Sequence, residues 1–366
     1  MPADSLDRQI WEIGLRSLRS DRPPLARGGA RAKTFGAGLQ QAEELWRAAE
    51  RVDLVARPML LFYGLTQAGR AICGAGSPPA SWQPAESHGL AFDLVRPSSG
   101  ADLDFTRISV KARGDGLIQQ VARVLNSPTV VSSVTLSDLL GALDVDLIFE
   151  DSHITGPRPL EVHQYNKDLG NYGPPAFPGL IVGPVPKKFS DATEVVSASE
   201  HNLEYTRTIP PTSEELEDWL SVYPKLQSLG KPTAPNGPEP DLTSIEDGDW
   251  VIRLVWNDET HRPELTQREW TIQQLDVVYS TEFENVFGVV LPAIAGNSQP
   301  QDLLITWWLV LYCLSMVARY YPKEWAEVLD VDSSKLAVPL QQLISTAQTQ
   351  VPRQILLSLL DIKGVT

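Results

Sequence analysis

Hydrophobic residues recur at helical spacing near the beginning of the chain and predict two helices there. One apolar face is formed by Leu39, Ala42, Leu45, Trp46 and Ala49. Residues 58–73 are apolar on nearly every face, and Pro58 occupies the first turn, where its missing N–H has no helical partner to lose. Because a helix that is apolar all round is buried on all sides, this segment is expected to lie in the core.

A second strongly apolar segment lies near the other end of the chain. Residues 303–317 are almost continuously apolar and include Trp307, Trp308 and Tyr312. A helix of about fifteen residues is roughly 22 Å long, which is shorter than the roughly 30 Å of hydrocarbon in a bilayer. The sequence therefore predicts a buried core helix here. Two further amphipathic helices are predicted near Pro339 and Pro352.

Between these helical ends, the pattern changes to strands and short helices. Strands are predicted at 90–95, 105–110, 250–256, 269–279 and 286–291, where β-branched and aromatic residues alternate or cluster. Short helices are predicted after Thr135 and Thr212, because each threonine is followed three positions later by an acidic residue that completes a capping box. The prolines in residues 230–240 predict a loop.

The order of these elements predicts a mainly helical α+β fold. The chain divides into a helical part at 1–85, a mixed middle region at 86–298 with an acidic, proline-rich loop at 227–247, and a helical part at 299–366. Because the two apolar helices need partners, the N- and C-terminal helices are expected to form one shared helical core, with the β-containing middle region inserted. Gly64 and Ala68 are the expected contact, since small residues let helices approach closely.

Composition and net charge exclude some functional classes and indicate the cellular compartment of the protein. The 366 residues include 46 acidic side chains against 31 Lys and Arg, and the net charge of −15 argues against coating nucleic acid or anionic membrane by bulk charge. Two cysteines, Cys73 and Cys313, are too few for a disulfide scaffold and favour a reducing compartment. Residues 1–14 contain no apolar run that could serve as a signal peptide, so a cytoplasmic location without membrane association is expected.

One local stretch has the opposite charge. Residues 16–33 contain Asp21 as their only acidic residue, and their basic side chains are Arg16, Arg19, Arg22, Arg27, Arg31 and Lys33. Such an arm could contact phosphate. The proline and glycine pairs within it favour a solvated, flexible connection instead.

Three segments resemble the YaaC-like proteins of bacteria. They are RPMLLFYGLTQAGRAI at 57–72, SHGL at 87–90 and LYCLSMVARYYP at 311–322. The likeness covers most of the chain, is strongest at the two apolar helices and is weakest between residues 190 and 250. The resemblance implies a bacterial intracellular protein. The family supplies no established reaction, so no catalytic residue is transferred from it.

Polar residues on the first apolar helix form one candidate site. Tyr63, Gln67 and Arg70 share a helical face, and His88 follows shortly in sequence. A buried guanidinium needs a partner, because an unpaired charge is costly to bury. One interpretation is an anion or nucleotide pocket in which Arg70 and Gln67 hold a phosphate or a base. The alternative, which the sequence favours, is a structural network tying Arg70 to carbonyls or a carboxylate.

A second candidate site combines Arg158 with His163, five positions later. An Arg followed after four to six residues by His resembles the motif of HEPN ribonucleases, in which the Arg stabilises phosphate charge and the His moves a proton. That motif lies on a helix, whereas Gly156, Pro157 and Pro159 surround this pair and disfavour one.

Other catalytic signatures are missing from the sequence. It contains no phosphate-binding glycine loop of the P-loop or dinucleotide type, no HExxH and no CxxC. Several possible metal ligands cluster at Asp144, Asp146, Glu150, Asp151 and His153. Because an exposed strand end and turn is the better explanation of this cluster, neither a metal nor a cofactor is expected.

These observations lead to two functional hypotheses. The first is a cytoplasmic bacterial protein that binds a nucleotide-like ligand or a protein partner, which includes a homo-oligomer, and that belongs to a multi-component system such as phage defence. The second is a metal-independent, HEPN-like ribonuclease that uses Arg158 and His163. Placement of those two residues on one helix would favour the ribonuclease.

Overall fold

The computed structural model describes the following residues: 10–95, 104–143, 156–165, 179–183, 193–198, 203–208, 212–224, 232–233, 241–244, 250–256 and 286–365. The chain forms two compact units, Met1–Arg158 together with Ile294–Thr366, and Pro159–Ala293. The sequence places its changes of region at residues 86 and 298, whereas the units divide near residues 158 and 294.

The first unit is mainly helical. Its α-helices are α1 (Arg16–Ser20), α2 (Gly29–Arg51), α3 (Arg57–Gly76), α4 (Leu117–Val124), α5 (Leu136–Ala142), α7 (Leu303–Tyr320), α8 (Pro322–Val328) and α9 (Ala337–Lys363). Helix α6 (Ser213–Leu220) lies in the second unit. A π-helical turn, Ile10–Leu15, precedes α1. Helices from both ends of the chain pack on α3, because α2, α7 and α9 all contact it. The predicted shared helical core is therefore confirmed.

Most of helix α3 is buried, and its small residues allow its neighbours to pack closely against it. On the side of α2, a Cβ at Gly64 would lie 2.8 Å from Trp46 Cε3, and a Cβ at Gly38 would lie 2.8 Å from the Gln67 carbonyl oxygen. On the side of α7, a Cβ at Gly69 would overlap the ring of Trp308. The predicted contact of the two apolar helices at Gly64 is therefore wrong, because Gly64 faces α2 and Gly69 meets α7.

Helix α7 is the candidate membrane span among the residues that the structure describes. It has 18 residues with a mean hydropathy of 1.5, and 83% of it is buried within the protein. A core helix passes the same test of length and composition, so this is weak evidence for a span. The observed burial agrees with the predicted core helix.

A small antiparallel sheet in the first unit connects the helices at the two ends. Its strands are β1 (Leu90–Leu94), β2 (Ile108–Ala112) and β3 (Val134–Thr135), in the order β1-β2-β3. Helix α5 begins at the predicted capping box, in which the Thr135 hydroxyl accepts from the backbone N–H of Asp138 and the Asp138 carboxylate accepts from that of Thr135. The predicted strand at 90–95 corresponds to β1. The strand predicted at 105–110 is only partly right, because Phe105–Arg107 form a 3-10 helix and β2 begins at Ile108.

The second unit contains antiparallel sheets and one short helix. Its strands are β4 (Leu160–Tyr165), β5 (Gly179–Gly183), β6 (Thr193–Ala198), β7 (Leu203–Thr208), β8 (Pro232–Thr233), β9 (Asp241–Ser244), β10 (Trp250–Trp256) and β11 (Val286–Val290). The larger sheet has the order β11-β4-β5-β10-β8, with β9 also on β10, while β6 pairs with β7. The Thr212 capping box opens α6 as predicted. The strand predicted at 269–279 lies outside the described residues.

The basic stretch at 16–33 is not the flexible connection that the sequence favours. Arg16 lies in α1 and forms an ion pair of 2.6 Å with the buried carboxylate of Glu43 on α2. Arg31 lies in α2, and its guanidinium donates to the carbonyl oxygens of Gly74 and Ser77 at the end of α3, at 2.9 and 2.8 Å. The proline and glycine pairs end one helix and precede the next, but the stretch stays attached to the helical core because Arg16 and Arg31 bind groups on α2 and at the end of α3.

Candidate functional site

A pocket of about 170 Å³ opens between α3 and α7. It is lined by Met59, Phe62 and Tyr63 of α3, by His88, and by Tyr312, Ser315, Met316, Arg319 and Tyr320 of α7. We call it the α3–α7 pocket. Its lining includes buried side chains such as Phe62 and Tyr312 and exposed ones such as Tyr63 and Tyr320, so the pocket lies where the packed helices α3 and α7 reach the surface.

Aromatic rings form the wall of the α3–α7 pocket. The ring of Phe62 lies 5.0 Å from that of His88 and 5.5 Å from that of Tyr312, measured between centroids. Tyr63 lies 6.4 Å from His88. The Tyr312 hydroxyl donates to the Leu90 carbonyl oxygen at 3.4 Å, and burial raises the pKa of Tyr312 to about 12, so this hydroxyl stays protonated. Such a wall suits a planar ring, which gains by stacking or edge contacts.

Two arginines give the pocket a positive potential. The Arg319 guanidinium donates from Nη1 to the Tyr63 hydroxyl at 3.3 Å and lies over the ring of Tyr320, 5.1 Å from its centroid. Arg70 lies about two turns beyond Tyr63 on α3, and its Nε is buried without a hydrogen-bond partner. Among the described residues, no carboxylate forms an ion pair with either guanidinium. Because no described carboxylate neutralises them, the two guanidinium groups favour a bound anion.

His88 lies within the field of these arginines. Burial lowers the pKa of its imidazole, and the charges of Arg70 and Arg319 lower that pKa further. In the described part of the chain, its ring forms aromatic contacts with Phe62 and Tyr63 but no hydrogen bond. The imidazole is therefore neutral at neutral pH in the free protein and has both nitrogens available.

The backbone around His88 is fixed by the start of α4. The backbone N–H groups of Leu117 and Ile118 donate to the carbonyl oxygens of Ser87 and His88, at 2.9 and 3.4 Å. These are N–H groups that the first turn of a helix leaves free. The segment that carries the imidazole is thus held by a regular element.

A buried amide completes this attachment. Gln119 donates from Nε2 to the Gly89 carbonyl oxygen at 2.8 Å and accepts at Oε1 from the Gly116 N–H at 2.9 Å. Gly89 has a φ of +78°, and a Cβ there would overlap Gln119. Glycine is required at position 89 for both reasons, since its backbone is left-handed and the amide leaves no space.

The structure brings together some of the residues that the sequence selects on α3. Tyr63 and His88 line the pocket, and the charge of Arg70 acts on His88. Gln67 is partly buried and its side chain forms no hydrogen bond among the described residues, while its carbonyl oxygen faces Gly38 of α2. The favoured structural network is not observed, because no described carbonyl or carboxylate receives a hydrogen bond from Arg70.

Sequence reasoning missed most of the contribution of α7. The sequence does not single out Tyr312, Arg319 and Tyr320 of α7, or Phe62 of α3, as pocket residues. All four lie in the segments that carry the family resemblance. The available signal was Arg319 itself, a guanidinium at the end of an otherwise apolar helix, like Arg70 on α3. Its relation to Tyr63 depends on helix packing, which the sequence does not display.

The second candidate pair is placed outside any helix. Arg158 lies in a segment without regular secondary structure before β4, and it has an interaction of its own. His163 lies in β4, where its backbone is paired with Ile181 of β5 and Val286 of β11. The single helix that the HEPN motif requires is therefore missing at these residues.

Possible metal ligands receive no support in the described ranges. The cluster from Asp144 to His153 lies outside them, and the part of the chain that the structure describes holds no group of three or more His, Cys, Asp or Glu side chains placed to bind a metal ion. The two cysteines are free and buried. Burial raises the pKa of Cys73 to about 11 and raises the pKa of Cys313 as well, so both thiols are protonated and unreactive.

Comparison with known proteins gives a family and no function. A model of the YaaC-like protein family matches residues 21–359. The chain belongs to the YaaC-like family. This match includes α3, α7 and every residue of the α3–α7 pocket. No curated protein and no solved structure matches the chain significantly.

Proposed function

We propose that this YaaC-like protein binds a nucleotide-like ligand in the α3–α7 pocket, with the planar ring against the aromatic wall and the anionic group at Arg70 and Arg319. The observation that carries the proposal is the unpaired Arg70. Its buried Nε lacks a partner and no described carboxylate pairs with it, while its charge acts on His88, which lines a pocket with an aromatic wall. A buried charge of this kind is stabilised when an anion binds.

The size of the pocket limits what enters it. At about 170 Å³, it is smaller than the roughly 300–1,000 Å³ of pockets that enclose a whole drug-sized ligand. A single planar ring system therefore occupies the pocket, and the phosphate stays at its arginine side. Stacking of a base on aromatic side chains contributes roughly 1–3 kcal/mol, and a charge-assisted hydrogen bond contributes about as much.

The proposal also includes the cellular setting. We place the protein in the bacterial cytoplasm, in a multi-component system such as phage defence, where it acts with a protein partner or as a homo-oligomer. Membership of the YaaC-like family, whose resemblance implies a bacterial intracellular protein, and two free, buried thiols support this setting. Native mass spectrometry of the purified protein tests it, because one measurement reports the oligomeric state, any retained partner and any retained small ligand.

The binding function is tested by replacing Arg70 with Met, which keeps most of the side-chain volume and removes the charge. Calorimetric titration with AMP, GMP, CMP and UMP is expected to show binding to the wild type. The Arg70→Met variant should lose at least about tenfold in affinity, since a charge-assisted hydrogen bond contributes roughly 1.5–3 kcal/mol. Its melting temperature should be unchanged or raised, because no described partner is left unsatisfied and a half-buried, unpaired charge is removed.

The matched control is Arg123→Met. Arg123 lies on α4, pairs with Asp115 at 2.9 Å in an exposed ion pair and does not line the pocket, so its loss changes the net charge by the same amount. This control should bind as the wild type does. A wild type that binds none of the four nucleotides would contradict the proposal. So would an Arg70→Met variant that is strongly destabilised, which would assign Arg70 a structural role.

A further inference from the structure

His88 is the one pocket group whose charge can change near neutral pH. It is half-buried, and within the described residues its ring nitrogens have no hydrogen-bond partner. Its backbone is held by α4 through Leu117, Ile118 and Gln119. The imidazole is therefore presented to the pocket from a fixed position with unused hydrogen-bonding capacity.

The groups around His88 are mostly cationic or neutral. Helix α3 contributes Tyr63 and Arg70, and α7 contributes Tyr312 and Arg319. Arg113, which follows β2, acts on Tyr312, and the carboxylate of Glu86 is exposed two residues before His88. In the free protein, the two guanidinium groups therefore oppose a third positive charge at the imidazole.

We infer that His88 takes up a proton from solvent when the anionic group of the ligand binds, so that the pocket holds its ligand more tightly as the pH falls. The inference rests on the proposed function and adds to it a regulation of the same site. An anion placed between Arg70 and Arg319 neutralises the charges that oppose protonation. The protonated imidazole then gains a second N–H donor, which it can direct to the anion.

The sign of the effect follows from linkage. The pKa of His88 lies below its ordinary value in the free protein and rises when an anion is bound, so the complex binds more protons than its separate components. Lowering the pH therefore favours the complex. A rise of about one pKa unit on binding corresponds to a tenfold gain in affinity between the two protonation limits.

The experiment is titration calorimetry of the four nucleotides AMP, GMP, CMP and UMP, on the wild type and on His88→Gln, in two buffers that differ in ionisation enthalpy. The buffer dependence of the heat gives the number of protons bound. Both proteins bind the same nucleotide phosphate, so a difference in proton uptake between them reports the presence of His88 and its interaction with that phosphate. Arg123→Gln is the control for a general change of charge and should match the wild type, since Arg123 lies outside the pocket lining.

We expect the wild type to take up more protons than His88→Gln. Its affinity should also rise more than that of the variant as the pH falls from about 8 to 5, by up to about tenfold once the pH lies below the pKa of His88 in both the free protein and the complex. Equal proton uptake by the two proteins, with binding intact, would overturn the inference and leave the proposed function standing. Absence of binding to all four nucleotides would overturn both.

A second measurement avoids dependence on the variant. NMR titration of the wild-type imidazole signals gives the pKa of His88 with and without a saturating nucleotide. The inference requires that pKa to be higher in the complex, and an unchanged or lower value would contradict it even where His88→Gln fails to fold.

Discussion

At the scale of single residues, the site depends on a charge that the protein leaves unpaired. The sequence places Arg70 on an apolar helix and predicts a partner for it, because buried charges are normally paired. In the described part of the structure, no carboxylate pairs with the guanidinium, and its charge acts together with that of Arg319 on the pocket residue His88. A local rule that is broken without compensation is typical of functional positions.

The pKa of His88 makes a prediction about stability in mild acid. Because that pKa is lowered in the folded protein, the unfolded chain binds the proton more readily, and the stabilisation present above about pH 6.5 is lost as the pH falls below it. His88→Gln should remove this loss. Urea denaturation between about pH 8 and pH 5 should show a smaller decrease of the midpoint in the variant than in the wild type.

Titrating groups that both proteins share, including the other four histidines, contribute equally to the two curves. The pKa values of Asp21 and Asp104 are lowered below their ordinary 3.8, so their contributions to stability are lost only at more acidic pH. Parallel midpoint curves for the two proteins down to about pH 5 would show that His88 is not held in its neutral form by the fold.

At the scale of elements, α3 determines the architecture through its small residues. Gly64 admits Trp46 of α2, and Gly69 admits Trp308 of α7, on different faces of the same helix. The apolar composition of the helix predicts that it is buried, but it does not indicate which neighbour lies on which face. Each of the two indole rings therefore requires a glycine on the face of α3 against which it packs. The packing of α7 on α3 also positions the two helices that line the pocket.

Glycine-to-alanine changes test these contacts with a matched control. At Gly36 of α2, a Cβ would have only the flexible end of Arg22 within 4 Å, so Gly36→Ala should stabilise the protein by up to about 1 kcal/mol through helix propensity. Gly64→Ala and Gly69→Ala gain the same propensity but press on indole rings, and overpacking costs roughly 1–3 kcal/mol. Thermal or denaturant unfolding of the three variants measures the difference.

The order of stability of the three variants tests whether Gly64 and Gly69 are packed against the indole rings. Gly69→Ala should be the least stable, since its Cβ would overlap Trp308, while Gly64→Ala meets Trp46 at 2.8 Å. If all three variants were stabilised equally, the close approach of α3 to its neighbours would be disproved, because only helix propensity would remain.

At the scale of the whole molecule, the chain forms one unit from its two ends and a second unit from the residues between them. Residues 1–158 and 294–366 form the first, and residues 159–293 the second. Leu160 of β4 and Val290 of β11 are paired antiparallel. Because paired residues in adjacent strands have Cα atoms about 4.5–5.5 Å apart, the chain enters and leaves the second unit at neighbouring positions. This arrangement is that of an inserted domain.

An excision variant tests the independence of the first unit. Replacement of residues 159–293 with a short Gly/Ser linker should leave a protein that unfolds cooperatively, because α2, α7 and α9 still enclose α3. Nucleotide binding should also persist, since every lining residue of the α3–α7 pocket belongs to the first unit. Circular dichroism and calorimetry measure the two properties. Loss of cooperative unfolding with linkers of two different lengths would refute the prediction.

The sequence by itself determined those features that depend on local pattern. Hydrophobic periodicity was enough for the buried helices α3 and α7 and for the strand β10, and hydrogen bonding within four residues was enough for the capping boxes at Thr135 and Thr212. These signals act between neighbours in sequence, so no knowledge of remote contacts is required.

The tertiary structure alone decided the identity of partners. Arg319 and Tyr63 are separated by 256 positions, yet their side chains share a hydrogen bond. Whether Arg70 was paired, and which glycine met which tryptophan, followed from the same packing of α7 and α2 on α3. A pattern of apolar residues shows that a face is buried, but it does not show which apolar element covers that face. The particular contacts that form the pocket arise only when the two ends of the chain pack together.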